Sequence, residues 1–187
     1  MREFVAVDVD GPGARSHAGP PSHLTLRFLG EVAPDRNSRV AERLVEVARA
    51  SAPFVLRLEG IGVFPSPARP RVAWVGVTTG RAELVELARK VRVALEPDFG
   101  AEREEFVPHL TLFRVRSPSD LVAARELLSG LRSPPPPREA VIRAFQLKES
   151  VLGRAGAVHR VIAEFPLTGG PSPGSASWSS VTRSGPG

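Results

Sequence analysis

Two stretches of the chain carry the same four residues, His23-Leu24-Thr25-Leu26 and His109-Leu110-Thr111-Leu112. Successive side chains on a β-strand point to opposite faces, so each copy puts a histidine and a threonine on one side and two leucines on the other. The leucines read as core; the imidazole and the hydroxyl are left to do chemistry. The chain has only four histidines, His17, His23, His109 and His159, and a matched pair followed by the same three residues reads as an internal duplication. Imidazole titrates near neutrality, so two of them across one cleft can hold complementary protonation states and move a proton at each end of a bond. Two hydroxyls beside them, with arginine adding charge, suit the non-bridging oxygens of an anion. A phosphodiester is the natural ligand: one histidine activates water and the other protonates the departing ribose oxygen. Two histidines and two threonines are too few and too weak a set for zinc, so neither metal nor cofactor is expected.

The elements that must hold these residues follow from periodicity and turn chemistry. Residues 2–9 predict a first strand, with Phe4, Val5, Val7 and Val9 apolar, and 10–22 a loop rich in Gly and Pro in which His17 reads as an exposed residue. The first motif strand runs over 22–29. A helix follows Pro34 and Asp35, with Val40, Leu44, Val45, Val47 and Ala48 on one face. Strands are predicted over 54–63 and 72–77, then a helix over 81–95 and a polar loop over 97–105. The second motif strand spans 109–115. Ser117, Pro118 and Asp120 form a helix start in good order, ahead of Leu121, Ala124, Leu128 and Leu131. Four successive prolines, 134–137, break the chain, and two strands over 140–151 and 157–167 close the core. Each half thus runs motif strand, turn, helix, strand, turn, strand. This predicts a duplicated, two-lobed α+β fold in which two antiparallel-rich sheets face each other across a central cleft, helices outside. Residues 168–187 are Gly, Ser and Pro with one large apolar residue, Trp178, and are expected to be a disordered tail after a single domain over 1–167.

Composition bounds the partners. The 187 residues carry no cysteine, which excludes a disulfide framework and a thiolate nucleophile and makes a reducing compartment the default. No stretch is long and apolar enough to span a bilayer, and a soluble, cytoplasmic protein without a membrane partner is expected. Net charge is +5, and the positive charge is almost all arginine, because Lys90 and Lys148 are the only lysines. Arginine's planar fork suits phosphate and favours nucleic acid as partner, although a compositional bias of the genome accounts for the same excess equally well.

The paired motifs resemble the HxTx motifs of the 2H phosphoesterase superfamily, and the chain looks most like its RNA 2',3'-cyclic phosphodiesterase branch, also called 2'-5' RNA ligases. The similarity extends to the opening Met1-Arg2-Glu3-Phe4-Val5-Ala6-Val7-Asp8, to Leu26-Arg27-Phe28-Leu29-Gly30-Glu31, and to Gly62-Val63-Phe64-Pro65-Ser66-Pro67 through Pro70-Arg71-Val72-Ala73-Trp74. It includes Pro108 and Arg114 around the second motif and the closing Phe165-Pro166-Leu167. The resemblance implies hydrolysis of an RNA terminal 2',3'-cyclic phosphate to a 2'-phosphomonoester without a metal, by a protein expected to be monomeric. It implies that His23 donates a proton to the leaving 3' oxygen, that His109 accepts one from water, and that Thr25 and Thr111 bind phosphate oxygens. Arg114 aligns with a phosphate-binding arginine of the family, but strict alternation puts it opposite His109 unless the strand twists or ends. Arg27 has the right parity with His23 and Thr25 to join the site, or is a solvated strand residue.

The chain departs from the family pattern in two places. Segment 10–22 is too short and too rich in Gly and Pro for the helix that usually precedes the first motif, and His159 stands where an aromatic tyrosine is expected, which gives it a structural reading. An enzyme acting on RNA ends is the main expectation. The reverse reaction, joining ends through a 2'-5' bond, uses the same groups, and a module that binds RNA ends without turnover or a protein-interaction scaffold would keep the fold and lose the chemistry.

Overall fold

The computed structural model of the chain describes residues 2–9, 23–153 and 156–170. The loop read over 10–22, with His17, and the tail beyond 170 lie outside them.

Among the described residues eight strands form two four-stranded antiparallel sheets. The first contains β1 (Arg2–Asp8), β2 (His23–Glu31), β7 (Ala144–Gly153) and β8 (Gly156–Pro166), in the order β2-β1-β7-β8. The second contains β3 (Phe54–Phe64), β4 (Val72–Val77), β5 (His109–Arg114) and β6 (Arg138–Ile142), in the order β5-β4-β3-β6. Each motif strand, β2 or β5, is therefore an edge strand beside the centre of its sheet, and the two edges lie against each other. The duplication is interleaved. The hairpin β3-β4 follows the first motif strand in the chain but joins the second, while β7-β8, at the chain's end, joins the first.

Among the described residues three α-helices, α1 (Asn37–Arg49), α2 (Arg81–Phe99) and α3 (Pro118–Ser129), cover the sheets, α1 packing on β7 and β8, α2 on β2 and α1, and α3 on β3. One apolar cluster joins both sheets to α1 and α2: Val5, Val7, Leu24 and Leu26 from the first sheet, Leu56, Leu58, Val75 and Val77 from the second, and Leu44, Leu84, Leu87 and Val91 from the helices. Leu24 and Leu26 are buried. Burying a leucine contributes about 1.5–3 kcal/mol, so the inner face of the first motif strand fixes which way its outer face points. Helix α3 starts as its sequence predicts: the Ser117 hydroxyl accepts from the Asp120 N–H (3.2 Å), and Asp120 Oδ2 accepts from the Ser117 N–H (2.9 Å). No helix among the described residues is long and apolar enough to cross a membrane.

Two boundaries differ from the sequence reading. The strand expected over 140–151 is two strands, β6 and β7, divided at Arg143 and assigned to different sheets. Ile142 and Phe145 are both buried, and an odd spacing cannot keep two residues on one face of a single strand, so the chain turns between them. Helix α2 continues past Leu95, through Pro97, to Phe99. Tertiary contacts hold this last turn: Asp98 pairs with Arg43 (2.7 Å) and Arg39 (3.4 Å) of α1, and Phe99 packs on the core. Past β8 the chain stays fastened for two residues beyond the boundary drawn from composition, the Thr168 N–H donating to Ala48 O (3.2 Å) and the Gly169 N–H to Ser51 O (2.9 Å).

Candidate active site

His23 and Thr25 alternate with buried Leu24 and Leu26, and His109 and Thr111 with Leu110 and Leu112, which pack against the core. The imidazole and hydroxyl of each motif therefore stand on the face away from the helices, half-buried, on two strands that lie together. The structure brings both predicted pairs into one region.

Strict alternation then fails at the same place in both strands. In β2, Thr25 pairs with Ala6 and Arg27 with Val5, so Leu26 is an extra, unpaired residue. In β5, Thr111 pairs with Trp74 and Phe113 with Ala73, so Leu112 is extra. A bulge at the fourth motif position reverses the parity of everything that follows. Arg114 thereby pairs with Val72, two residues from Trp74, and returns to the histidine face, exposed. The parity objection to Arg114 is removed.

The same slip corrects the expectation for Arg27, which is not on the cleft face. Its side chain is buried at 2% exposure, with Nη1 donating to Arg92 O and Nη2 to Gly100 O, both at 2.6 Å, and its guanidinium over the Phe99 ring at 5.8 Å. Arg27 fastens the last turns of α2 to β2, one bond going to Arg92 O within the helix and the other to Gly100 O just past its end, where the dipole favours a cation. Burial pulls its pKa down from the usual arginine value, with the Glu102 charge opposing.

Each catalytic candidate has an aromatic seat in its own sheet. His109 meets the Phe64 ring edge-on (4.9 Å between centroids, 85°) and lies 6.2 Å from Trp74, whose ring is 5.1 Å from Phe64. Gly62, paired with Trp74, makes room for this: a Cβ there would fall 2.1 Å from Trp74 Cζ2. His109 Nδ1 is 2.8 Å from Val107 O. A carbonyl only accepts, so Nδ1 carries the hydrogen and Nε2 is left with its lone pair.

His23 sits 5.2 Å from Phe4 and 5.0 Å from His159, the latter edge-on at 83°, and His159 also meets Phe4 edge-on at 5.0 Å. Asp8 lies across the ladder from His23, and its carboxylate is held by the Lys148 ammonium; Lys148 in turn lies across from Phe4. Burial, then the positive charge of Lys148, then His159, push the His23 pKa down to about 3. His159 is lowered too, by burial and by Lys148. Sequence reasoning gave His159 a structural role and passed over Asp8, Lys148 and the aromatic seats. Lys148 and Asp8 are 140 positions apart, and only the return of β7 to β1 joins them. Among the described residues no three His, Cys, Asp or Glu side chains gather as a metal site would need.

Fold and site together define a two-lobed α+β protein with a His-x-Thr edge strand from each lobe. The chain matches the model of the 2'-5' RNA ligase superfamily over residues 7–153 and belongs to that family, as the resemblance led us to expect. It is 36% identical over 143 residues to the RNA 2',3'-cyclic phosphodiesterase of Aeropyrum pernix, covering 76% of this chain and 80% of that one. It is 34% identical over 183 residues to the RNA 2',3'-cyclic phosphodiesterase of Archaeoglobus fulgidus, covering 88% and 99%. The crystal structure of TT0787 of Thermus thermophilus superposes with a TM-score of 0.69 at 28% identity, over 90% of this chain and 99% of that one.

Proposed function

We propose that this protein hydrolyses the 2',3'-cyclic phosphate at an RNA end to a 2'-phosphomonoester, using His109 as base and His23 as acid, with no metal. The observation that carries the reading is that the His-x-Thr faces of two edge strands adjoin. His109 has its Nδ1 hydrogen committed to Val107 O, which leaves Nε2 to take a proton, and His23, disfavoured as a cation by burial and then by Lys148 and His159, needs an anion beside it to carry one. A bound phosphate anion supplies the negative charge that His23 lacks, so the proton enters with the substrate. His109 Nε2 then removes a proton from water as its oxygen bonds to phosphorus, the bond from phosphorus to the 3' oxygen breaks, and His23 delivers its proton to that oxygen. Thr25 and Thr111 hydroxyls, with Arg114, hold the non-bridging oxygens as negative charge grows on them. Family membership and two relatives named RNA 2',3'-cyclic phosphodiesterase support the activity. The proposal extends to a cytoplasmic monomer acting on RNA ends.

The test is incubation of the purified protein with a nucleoside 2',3'-cyclic phosphate in the presence of a chelator. The 2'-monophosphate is the expected product at an undiminished rate. A 3'-monophosphate would overturn the assignment of the leaving oxygen, full dependence on added divalent metal would overturn the mechanism, and binding without turnover would make the protein an RNA-end binding module.

A further inference from the structure

Resting on the phosphodiesterase reading, we infer that Lys148 is the cation with which the first lobe binds the substrate phosphate, and that Asp8 holds it beside His23 until the anion arrives. The ladder sets the geometry. Strand β1 turns Phe4, Ala6 and Asp8 to the histidine face. His23 lies across from Asp8 and Thr25 across from Ala6 on one side, and Lys148 across from Phe4 and Gln146 across from Ala6 on the other. Lys148 thus starts two rows away from His23, yet its ammonium meets the Asp8 carboxylate, so the side chain runs along the floor of the cleft to the level of the imidazole. Ala6, the residue between those rows, is fully buried and offers only a methyl group to the passing stem. After burial, the charge of Lys148 is the strongest influence against a proton on both His23 and His159, which places the ammonium close to both rings.

This lysine is not accounted for by structure alone. It is 7% exposed, and among the described residues its one polar partner is Asp8, which leaves N–H groups of the ammonium unused. Lys90, the only other lysine, instead closes the end of α1 with bonds to Ala50 O and Ser51 Oγ. A buried ion pair contributes little net stability, because desolvation of both ions offsets their attraction, so Lys148 and Asp8 are a poor means of holding β7 on β1. The lobes also differ in where a cation can come from. The second has Arg114 on its own motif strand, whereas the one arginine of β2, Arg27, is turned to α2. Strand β7 supplies what β2 lacks. A phosphate seated between His23 and Thr25 on one side and His109, Thr111 and Arg114 on the other then meets a cation from each lobe. As the anion takes a share of the ammonium, the repulsion that kept His23 neutral is screened, and the imidazole holds the proton it later delivers to the 3' oxygen.

The experiment measures, by calorimetry, the affinity of adenosine 2'-phosphate for the unmutated protein, Lys148→Met, Asp8→Asn and the double variant Asp8→Asn/Lys148→Met, with circular dichroism verifying the fold. Hydrolysis of a nucleoside 2',3'-cyclic phosphate is followed in the same preparations. Lys148→Met is expected to weaken binding about tenfold to a hundredfold, the worth of one charge-assisted contact. Asp8→Asn frees the ammonium and should bind equally or more tightly, and the double variant should remain as weak as Lys148→Met. Unchanged affinity in Lys148→Met overturns the inference. So does a double variant restored to the unmutated affinity, which would mean that the two charges only neutralise each other. Should Lys148→Met fail to fold, the double variant, which leaves neither charge unpaired, carries the comparison alone. An unmutated protein that binds no adenosine 2'-phosphate overturns the inference as well, whereas one that binds it and hydrolyses nothing overturns the phosphodiesterase reading and leaves Lys148 to be decided by the four affinities.

Discussion

His159 meets His23 edge-on, 5.0 Å between ring centroids, and both rings pack on Phe4. Burial first, then the charge of Lys148, then this contact make a proton on His23 unfavourable until an anion arrives. In the free protein His23 is expected to stay neutral down to a pKa of about 3. Anion binding stabilises the imidazolium, so adenosine 2'-phosphate should bind with uptake of a proton and more tightly as pH falls toward 5. Imidazole NMR titration and calorimetry in two buffers of different ionisation enthalpy check this, and proton release on binding would contradict it. Stability has a definite sign as well. Between the unfolded value of about 6.5 and about 3 the unfolded chain takes a proton that the folded His23 refuses, so acid erodes stability progressively through that window.

His109→Gln keeps a polar side chain but removes the Nε2 lone pair that the Val107 contact leaves free. Hydrolysis should fall by on the order of a hundredfold to ten-thousandfold, the range of a positioned base. Affinity for adenosine 2'-phosphate should change far less. Single-turnover rates together with calorimetry separate the two quantities.

Arg27 and Arg114 should answer to different assays. Arg27→Met removes two charge-assisted bonds, to Arg92 O and Gly100 O, a loss of about 2–4 kcal/mol of stability. Arg114→Met changes stability by no more than about 0.5 kcal/mol, because the side chain is exposed, and raises KM for the cyclic phosphate. Denaturant melts and steady-state kinetics on both variants make the comparison. A stable Arg27→Met protein with an impaired KM would return Arg27 to the substrate.

Gly62→Ala drives a methyl group into the Trp74 ring and should destabilise the fold by about 1–3 kcal/mol, moving Trp74, then Phe64 and His109, from their seats. The double variant Gly62→Ala/Trp74→Leu should recover part of the stability lost in Gly62→Ala. A thermodynamic cycle over the four proteins measures the coupling, and strict additivity would show that the ring and the glycine are independent.

The motif residues were legible because their signal is local: His, Thr and two Leu at strand spacing, written twice. Most element positions were legible for the same reason, as with the Ser117 cap of α3. One omission set Arg27 among the cleft residues and raised a parity objection against Arg114. Parity counting assumes a regular ladder, and nothing local distinguishes Leu26 or Leu112 from an ordinary strand leucine; the irregularity exists only in the pairing with β1 and β4. The division at Arg143 was closer to hand, since Ile142 and Phe145 are an odd number apart in the sequence itself. The Lys148 to Asp8 pair was out of reach, because strand order alone brings it together.

Because each sheet takes its hairpin from the other half of the chain, neither half can mature by itself. During synthesis β1 and β2 emerge first, yet β1 waits for β7, about 140 residues later, before both its edges are paired. Although the motif is written twice, cutting the chain between the repeats is expected to leave two fragments with open strand edges, prone to aggregate, rather than two weaker catalysts.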